Sequence, residues 1–349
     1  MTEFSFDLGA IDARALNDDD ALMRLAMEVA GTARTRTSPN PWVGAVVLSE
    51  SGQVVGVGAT APVGGPHAEI SALRQAGGAA NNGTLFVTLE PCCHTGRTPP
   101  CTKAIIEANI GRVVIGMIDP DERVAGNGVS ALQAAGIVVD TGICGSEVSE
   151  QLLPYAHHRR TGRPFVLAKI AATLDGHTAA GDGTSQWITG ERARHDAHRL
   201  RAESDAIVVG AGTVRTDNPS LTVRHVDGRD PLRVVLGTAP SGARVHPCVE
   251  WQSSLKELLD DLGNRGCLQV LVEGGATVMR SFYEADLIDR WAVYLAPGFM
   301  GGSPAHPLIS TTPAATIADF TRGAIIRTQN LDGDVMLLVD PPHRKGALT

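Results

Sequence analysis

Hydrophobic residues along the chain gather into short runs, and polar stretches with helical spacing lie between them. In the first half, "WVGAVVL", "TLFVTLE", "RVVIGMID" and "GIVVDTG" have the length and content of buried strands. Between them, "HAEISALRQAGG" and "CTKAIIEANIG" space their apolar residues helically and close on glycine. Such strand–helix alternation predicts a layered α/β domain around a largely parallel sheet. Residues 152–164, "LLPYAHHRRTGRP", show little periodicity and are rich in Pro, His, Arg and Gly, so they are expected to be a connector. The pattern then restarts with "FVLAKIAA" and runs through "AIVVGAG", "LRVVLG", "LQVLVEGG", "RWAVYLAP" and "VMLLVD", with a helical "GERARHDAHRLRAES" among them. Two α/β domains are therefore expected, at 18–158 and 163–341, with no internal repeat and no extended low-complexity tract.

A length of 349 residues suits two domains, and 43% hydrophobic content allows each a core. The net charge of −8 is the wrong sign for a protein that coats duplex nucleic acid, although it permits a local basic pocket for a phosphorylated ligand. The N-terminal "MTEFSFDLGAIDARALNDDD" is acidic and does not read as a secretory or transit peptide. No stretch approaches the roughly 18 apolar residues of a membrane span. A cytoplasmic protein is expected, in which stable disulfides are rare.

That expectation bears on "EPCCHTGRTPPC", Glu90 to Cys101, where three of the six cysteines sit beside His94. Upstream, "GGPHAEI" supplies His67 and Glu69 as H-x-E, and Pro91-Cys92 supplies the P-C of the zinc-deaminase signature. Thr95 breaks the short C-x-x-C, and the next thiolate is Cys101, with eight residues between it and Cys92. One imidazole and two thiolates would leave a tetrahedral zinc one open position, and zinc can bring a water's pKa down to about 7. Glu69 is near enough in sequence to take a proton there. Cys93 is expected to point elsewhere, because adjacent side chains on a forming helix diverge by about 100°. A closed structural zinc site including His94, or buried free thiols, are the competing readings.

Together these residues resemble a family. "SPNPWVGAVV", "HAEI", "TLEPCCHTGRTPPC" and "MIDPD…VAGNG" resemble the deaminase half of the bifunctional riboflavin-pathway deaminase/reductases, the RibD family. "KIAATLDGHTA", "SQWITG", "DAIVVGAGTVRTDNPSLTVR" and "LVEGGATV" resemble its reductase half, in the same order, so the likeness runs from about Ala21 to about Asp340. The long cysteine spacing is that family's form. The resemblance implies a cytidine-deaminase-like α/β/α domain followed by a dihydrofolate-reductase-like α/β domain. It implies zinc-dependent deamination of a phosphorylated ribosylaminopyrimidine, then NADPH-dependent reduction of the ribosyl group. One Zn²⁺ per chain would be held by His67, Cys92 and Cys101, with Glu69 as proton shuttle and Asn40 on the pyrimidine. Without the family, Asn40 reads equally well as a turn residue between two prolines. The partners implied are small phosphorylated substrates, with no nucleic acid or membrane, and a homo-oligomer is expected. Two positions depart from the family: "DPDE" at Asp119–Glu122 replaces the usual "DPNP", and Pro154 stands where Asn is common.

In the second half, "LQVLVEGGATVMRSF" reads as a buried strand, two glycines and a helix whose first N–H groups could hold a phosphate. No G-x-G-x-x-G follows a strand, and "GAGTVRTD" has Arg215 at the third glycine position, which argues against a Rossmann domain. By resemblance, Ala171, Trp187, Thr213, Asp217, Thr238 and the Gly275 segment line the cofactor site. Ser185, Arg201, Leu221, Arg224 and Glu273 line the substrate site, with the two arginines suited to the phosphate and Asp217 a candidate proton relay. Taken alone, Trp187 reads as core, the arginines as surface charge and Asp217 as a turn residue. Two other functions fit parts of the pattern: a nucleic-acid base deaminase with an accessory domain, and a zinc-stabilised protein that senses a nucleotide.

Overall fold

Asp18 starts the first helix by accepting a 2.7 Å hydrogen bond from the Ala21 backbone N–H, which satisfies one of the unpaired donors at a helix start. The helix, α1 (Asp19–Gly31), buries Leu22, Met23, Ala26, Val29 and Ala30 along one stripe. The structure is a computed structural model that describes residues 18–94, 99–302, 306–311 and 314–342. The N-terminal segment to residue 17 and residues 95–98, within the cysteine cluster, lie outside the described residues. The chain divides into two units after Gly162.

The first unit is built on strands β1 (Gly44–Leu48), β2 (Val54–Ala59), β3 (Thr84–Leu89), β4 (Arg112–Met117) and β5 (Val138–Thr141), in the order β2-β1-β3-β4-β5. The sheet is mixed rather than largely parallel: β1 is antiparallel to β2 and β3, while β3-β4 and β4-β5 are parallel. The reason is the short connection closed by Gly52 N–H on the Ser49 carbonyl at 2.9 Å, since a turn of that length can join only antiparallel strands. β2 escapes the apolar pattern because Gly56 and Gly58 interrupt it. A Cβ at Gly58 would overlap the Ala68 carbonyl, so the glycine lets helix α2 (Ala68–Ala76) lie directly on the strand. β5 is an edge strand and largely exposed, not buried.

Helices α3 (Cys101–Glu107), α4 (Asn127–Ala134) and α5 (Gly145–Gln151) follow. The stretch expected to be an irregular connector instead forms helix α6 (Leu153–Thr161). Pro154 sits in its first turn, where a missing N–H costs nothing, and Gly162 ends it at φ +72. Leu153, Tyr155 and Ala156 are buried, which outweighs the polar sequence that follows.

The second unit carries β6 (Phe165–Thr173), α7 (Glu191–Ala202), β7 (Ala206–Gly210), α8 (Ala211–Asp217), β8 (Leu232–Leu236), β9 (Val249–Trp251), α9 (Leu255–Asn264), β10 (Gln269–Val272), α10 (Ala276–Glu284), β11 (Arg290–Ala296), β12 (Ala324–Leu331) and β13 (Asp334–Asp340). The sheet order is β12-β13-β11-β6-β10-β7-β8-β9, parallel from β11 to β9 and antiparallel at the β12-β13-β11 edge. Apolar residues of β6, β7 and β10 pack with Leu258, Leu262, Met279 and Phe282 of the covering helices α9 and α10. In open sheets of this kind, ligands bind beyond the carboxyl ends of the strands. Among the described residues no helix is long and apolar enough to cross a membrane.

Candidate active sites

His67 is the residue that caps the start of α2, and Glu69 lies in that helix's first turn. Cys101 is the first residue of α3, and Cys92 lies on the segment leaving β3. These positions bring His67, Cys92 and Cys101 together, with their ligand atoms within 4.8 Å of one another. His67 Nδ1 is 3.7 Å from Cys92 Sγ and 3.2 Å from Cys101 Sγ. Tetrahedral zinc with Zn–S near 2.3 Å and Zn–N near 2.0 Å sets its ligand atoms about 3.3–3.8 Å apart, so the set fits that ion. The Cys101 N–H also donates to Cys92 Sγ at 3.4 Å. Hydrogen bonding from Cys101, with help from His67, holds the Cys92 thiol below its ordinary range, toward the thiolate form that binds metals.

Cys93 and His94 stay outside this group. The expected reason for Cys93 does not hold, because residues 91–94 are not helical and α3 begins only at Cys101. Glu69 is buried at 4% exposure, and burial pushes its carboxyl up to about 6. It shares a cavity of about 360 Å³ with His67, Cys92, His94 and Asn40. Asn40 fits both of its readings, since its N–H closes a turn on the Thr37 carbonyl at 2.9 Å while the residue lines the cavity.

The departing loop lines the same cavity and is tightly held. Glu90 accepts backbone N–H bonds from Asp119, Gly126, Gly128 and Val129, at 2.8–3.2 Å. The Tyr155 hydroxyl donates to Asp119 at 3.0 Å, while Arg123 grips Asp121 through two nitrogens. Sequence reasoning missed Glu90 and Tyr155, whose partners lie about thirty or more residues away.

The second unit holds a cavity of about 880 Å³. Ala171, Ser185, Trp187, Arg201, Thr213, Asp217, Leu221, Arg224, Glu273 and Gly275 all line it. Thr238 does not, and its hydroxyl accepts from Gln252 Nε2 at 3.3 Å. Trp187 is 68% exposed, so it is no core residue, and Arg194 stacks over its ring at 4.8 Å. Asp217 ends α8 rather than occupying a turn, and partial burial raises its carboxyl. Gly275 caps α10, as the strand–glycine–helix reading expects.

Arg201 lines the cavity and is already paired within the protein. Its Nε and Nη2 meet Glu273 Oε1 and Oε2 at 2.7 and 2.8 Å, so the guanidinium fork is already filled by a carboxylate. Burial alone would raise Glu273, yet the charge and hydrogen bonds of Arg201, aided by Lys169, hold it at about 2. Arg224 differs: among the described residues its side chain donates only to the Ser220 and Thr222 hydroxyls, at 2.8 and 3.1 Å. Its N–H donates to His198 Nδ1 at 3.0 Å, and burial keeps that ring neutral, with its pKa down at about 4. Lys169 and His198, both unnoticed in the sequence, line the cavity too.

Residues 16–117 match the family described as the cytidine and deoxycytidylate deaminase zinc-binding region, and residues 164–337 match the RibD C-terminal domain. The chain is 43% identical over 317 residues to the riboflavin biosynthesis protein RibD of Chlamydia trachomatis, covering 80% of this chain and 84% of that one. It is 36% identical over 362 residues to the RibD of Escherichia coli K12, covering 91% and 98%. A solved structure of Acinetobacter baumannii RibD superposes with a TM-score of 0.87 at 36% identity, covering 93% of this chain and 99% of that one. A Thermotoga maritima structure, described as a diaminohydroxyphosphoribosylaminopyrimidine deaminase/5-amino-6-(5-phosphoribosylamino)uracil reductase, gives 0.85 at 33%, covering 92% and 98%. Fold and sites thus define a zinc-type deaminase domain joined to a reductase domain that uses NADPH. The chain belongs to the RibD family of bifunctional deaminase–reductases in riboflavin biosynthesis.

Proposed function

We propose that residues 18–158 deaminate 2,5-diamino-6-ribosylamino-pyrimidinone 5′-phosphate, and that residues 163–341 then reduce the ribosyl group of the product, 5-amino-6-(5-phosphoribosylamino)uracil. The final product is the corresponding ribityl phosphate. The observation that carries this reading is the buried Glu69 on the same cavity wall as His67 and Cys92, whose ligand atoms group with that of Cys101. A purely structural metal site has no use for an acid there.

His67, Cys92 and Cys101 would hold zinc, which would supply the Lewis acidity that activates water near neutral pH. Glu69 takes a proton from the attacking water and returns it to the departing amine. Burial suits it to both steps, because a carboxyl pushed toward neutrality gives and accepts protons readily. Asn40 offers amide donor and acceptor atoms to the pyrimidine edge from a fixed turn.

In the second unit, the cavity of about 880 Å³ would hold NADPH, which would supply the hydride for the ribosyl carbon. Arg224 pairs with the substrate phosphate, since its present partners are neutral hydroxyls that a phosphate can displace. Arg201 acts by fixing Glu273 at the cavity wall. Asp217, with its raised carboxyl, is the proton relay. Ala171, Trp187, Thr213 and Gly275 face the cofactor, and Ser185 and Leu221 the substrate. A net charge of −8 counts against nucleic acid or an anionic membrane as partner, and on this reading the protein acts on small phosphorylated substrates as a cytoplasmic homo-oligomer.

The test is to supply the diamino substrate with and without NADPH and weigh the products. Without NADPH, one amine should be replaced by oxygen. With it, the product should also gain two hydrogens. Deamination of tRNA in place of this substrate, with tight salt-sensitive binding, would overturn the reading in favour of a nucleic-acid deaminase.

A further inference from the structure

NADPH differs from NADH by one phosphate on the adenosine ribose. A site that prefers NADPH therefore needs a cation at that end of the cofactor, held in place and not neutralised by a carboxylate. The reductase cavity has five Lys or Arg residues on its wall: Lys169, Arg194, Arg201, Arg224 and Arg244. Four are committed elsewhere. Arg201 is locked on Glu273, and Lys169 lies 5.6 Å over the Tyr294 ring with its charge toward that same glutamate. Arg194 donates to the Thr189 carbonyl at 2.8 Å and stacks on Trp187. Arg224 belongs to the substrate phosphate in the reading above. Among the described residues, none pairs with the Arg244 side chain.

Its backbone, by contrast, is braced. Arg244 lies on the loop between β8 and β9, and its N–H donates to Asn218 Oδ1 at 2.8 Å. Asn218 caps α8, the helix that brings Thr213 and Asp217 to the cavity. Ala243 N–H closes on the Pro240 carbonyl at 3.0 Å, and His246 N–H closes on the Ala243 carbonyl at 3.2 Å. Arg233 Nη1 donates to the Val245 and His246 carbonyls, both at 3.3 Å. Ala243 and Val245, on either side, are buried, whereas Arg244 is exposed. The loop therefore anchors its neighbours inward and leaves the guanidinium exposed, so little backbone ordering remains when an anion binds.

Topology puts that charge at one end of an extended ligand. β10, β7 and β8 are adjacent and parallel, and Gly275, Asp217 and Arg244 follow them in that order. Neighbouring strands lie about 4.8 Å apart, so the ends of these strands, from which the segments carrying Gly275, Asp217 and Arg244 depart, span roughly 10 Å, a distance a dinucleotide crosses. We infer that Arg244 binds the 2′-phosphate of NADPH and sets the preference for NADPH over NADH. This rests on the reductase reading and names the residue that makes it specific.

The test uses the full chain with already deaminated substrate and compares kcat/KM for NADPH and NADH. Arg244→Gln should lower the NADPH-to-NADH preference by about ten- to a hundredfold, the loss expected of one charge-assisted contact. Arg244→Lys should recover most of it. As a second probe, 2′,5′-ADP should compete with cofactor better than 5′-AMP does, and Arg244→Gln should erase that advantage. An unshifted preference in Arg244→Gln, with the 2′,5′-ADP advantage retained, overturns the inference and leaves the reductase reading standing. If the unaltered protein oxidises neither cofactor with this substrate, both fail.

Discussion

Cys101 Sγ lies 3.2 Å from His67 Nδ1, although 34 residues separate the two in the chain. The approach is made by two helix starts, since His67 precedes the first residue of α2 and Cys101 begins α3. Cys92 completes the group, and the Cys101 N–H donates to its sulfur. Cys92→Ser and Cys101→Ser should each lose zinc and deamination, while Cys93→Ser keeps both. Zinc content of the purified variants checks this, and equal metal loss from Cys92→Ser and Cys93→Ser would contradict the ligand set.

Arg201 and Glu273 form a partly buried pair, with side chains 15% and 10% exposed. Removing one partner of a buried pair costs roughly 3–5 kcal/mol, because the remaining charge is left uncompensated. Glu273→Ala should therefore lower the unfolding free energy of the second unit toward that extent. Because Glu273 is held at about 2, below its ordinary 4.5, the pair's contribution is full above pH 4.5 and fades as pH falls toward 2. Acid unfolding followed by circular dichroism should show Glu273→Gln to be less acid-sensitive over that window than the unaltered protein.

Arg224→Ala should chiefly raise the apparent KM of the reductase for its phosphorylated substrate, by about ten- to a hundredfold, as for a lost charged hydrogen bond. Steady-state kinetics with deaminated substrate decide the matter. Unchanged constants would return Arg224 to the solvated surface.

Asp217→Asn should slow reduction and spare deamination, since the change removes an acid while keeping the shape of the last residue of α8. Reduction at the original rate would remove Asp217 from the proton path.

The strand runs, the two-domain order and the metal residues could be read from the sequence because each is local or rests on a distinctive spacing. β2 could not, since Gly56 and Gly58 break its apolar run for the sake of close contact with α2. α6 could not, because only its first turn is apolar and the burial of Tyr155 depends on its partner Asp119. The Arg201–Glu273 pair could not be read either, because the two lie 72 residues apart and sequence carries no mark of such a pairing. Glu90 stood inside the cysteine motif yet serves the loop at 119–129, which again only the fold reveals.

On the proposed reading, deamination and reduction reside in two separate cavities, one with Glu69 and one lined from Lys169 to Leu308. The most direct measurement takes Glu69→Gln and follows three quantities on one preparation: zinc content, deamination, and NADPH oxidation with already deaminated substrate. Zinc should stay, deamination should fall about 100-fold or more, as for a lost acid–base group, and NADPH oxidation should proceed at the original rate. Loss of NADPH oxidation in a variant that remains folded and zinc-loaded would contradict the account, because it would mean that one site serves both reactions.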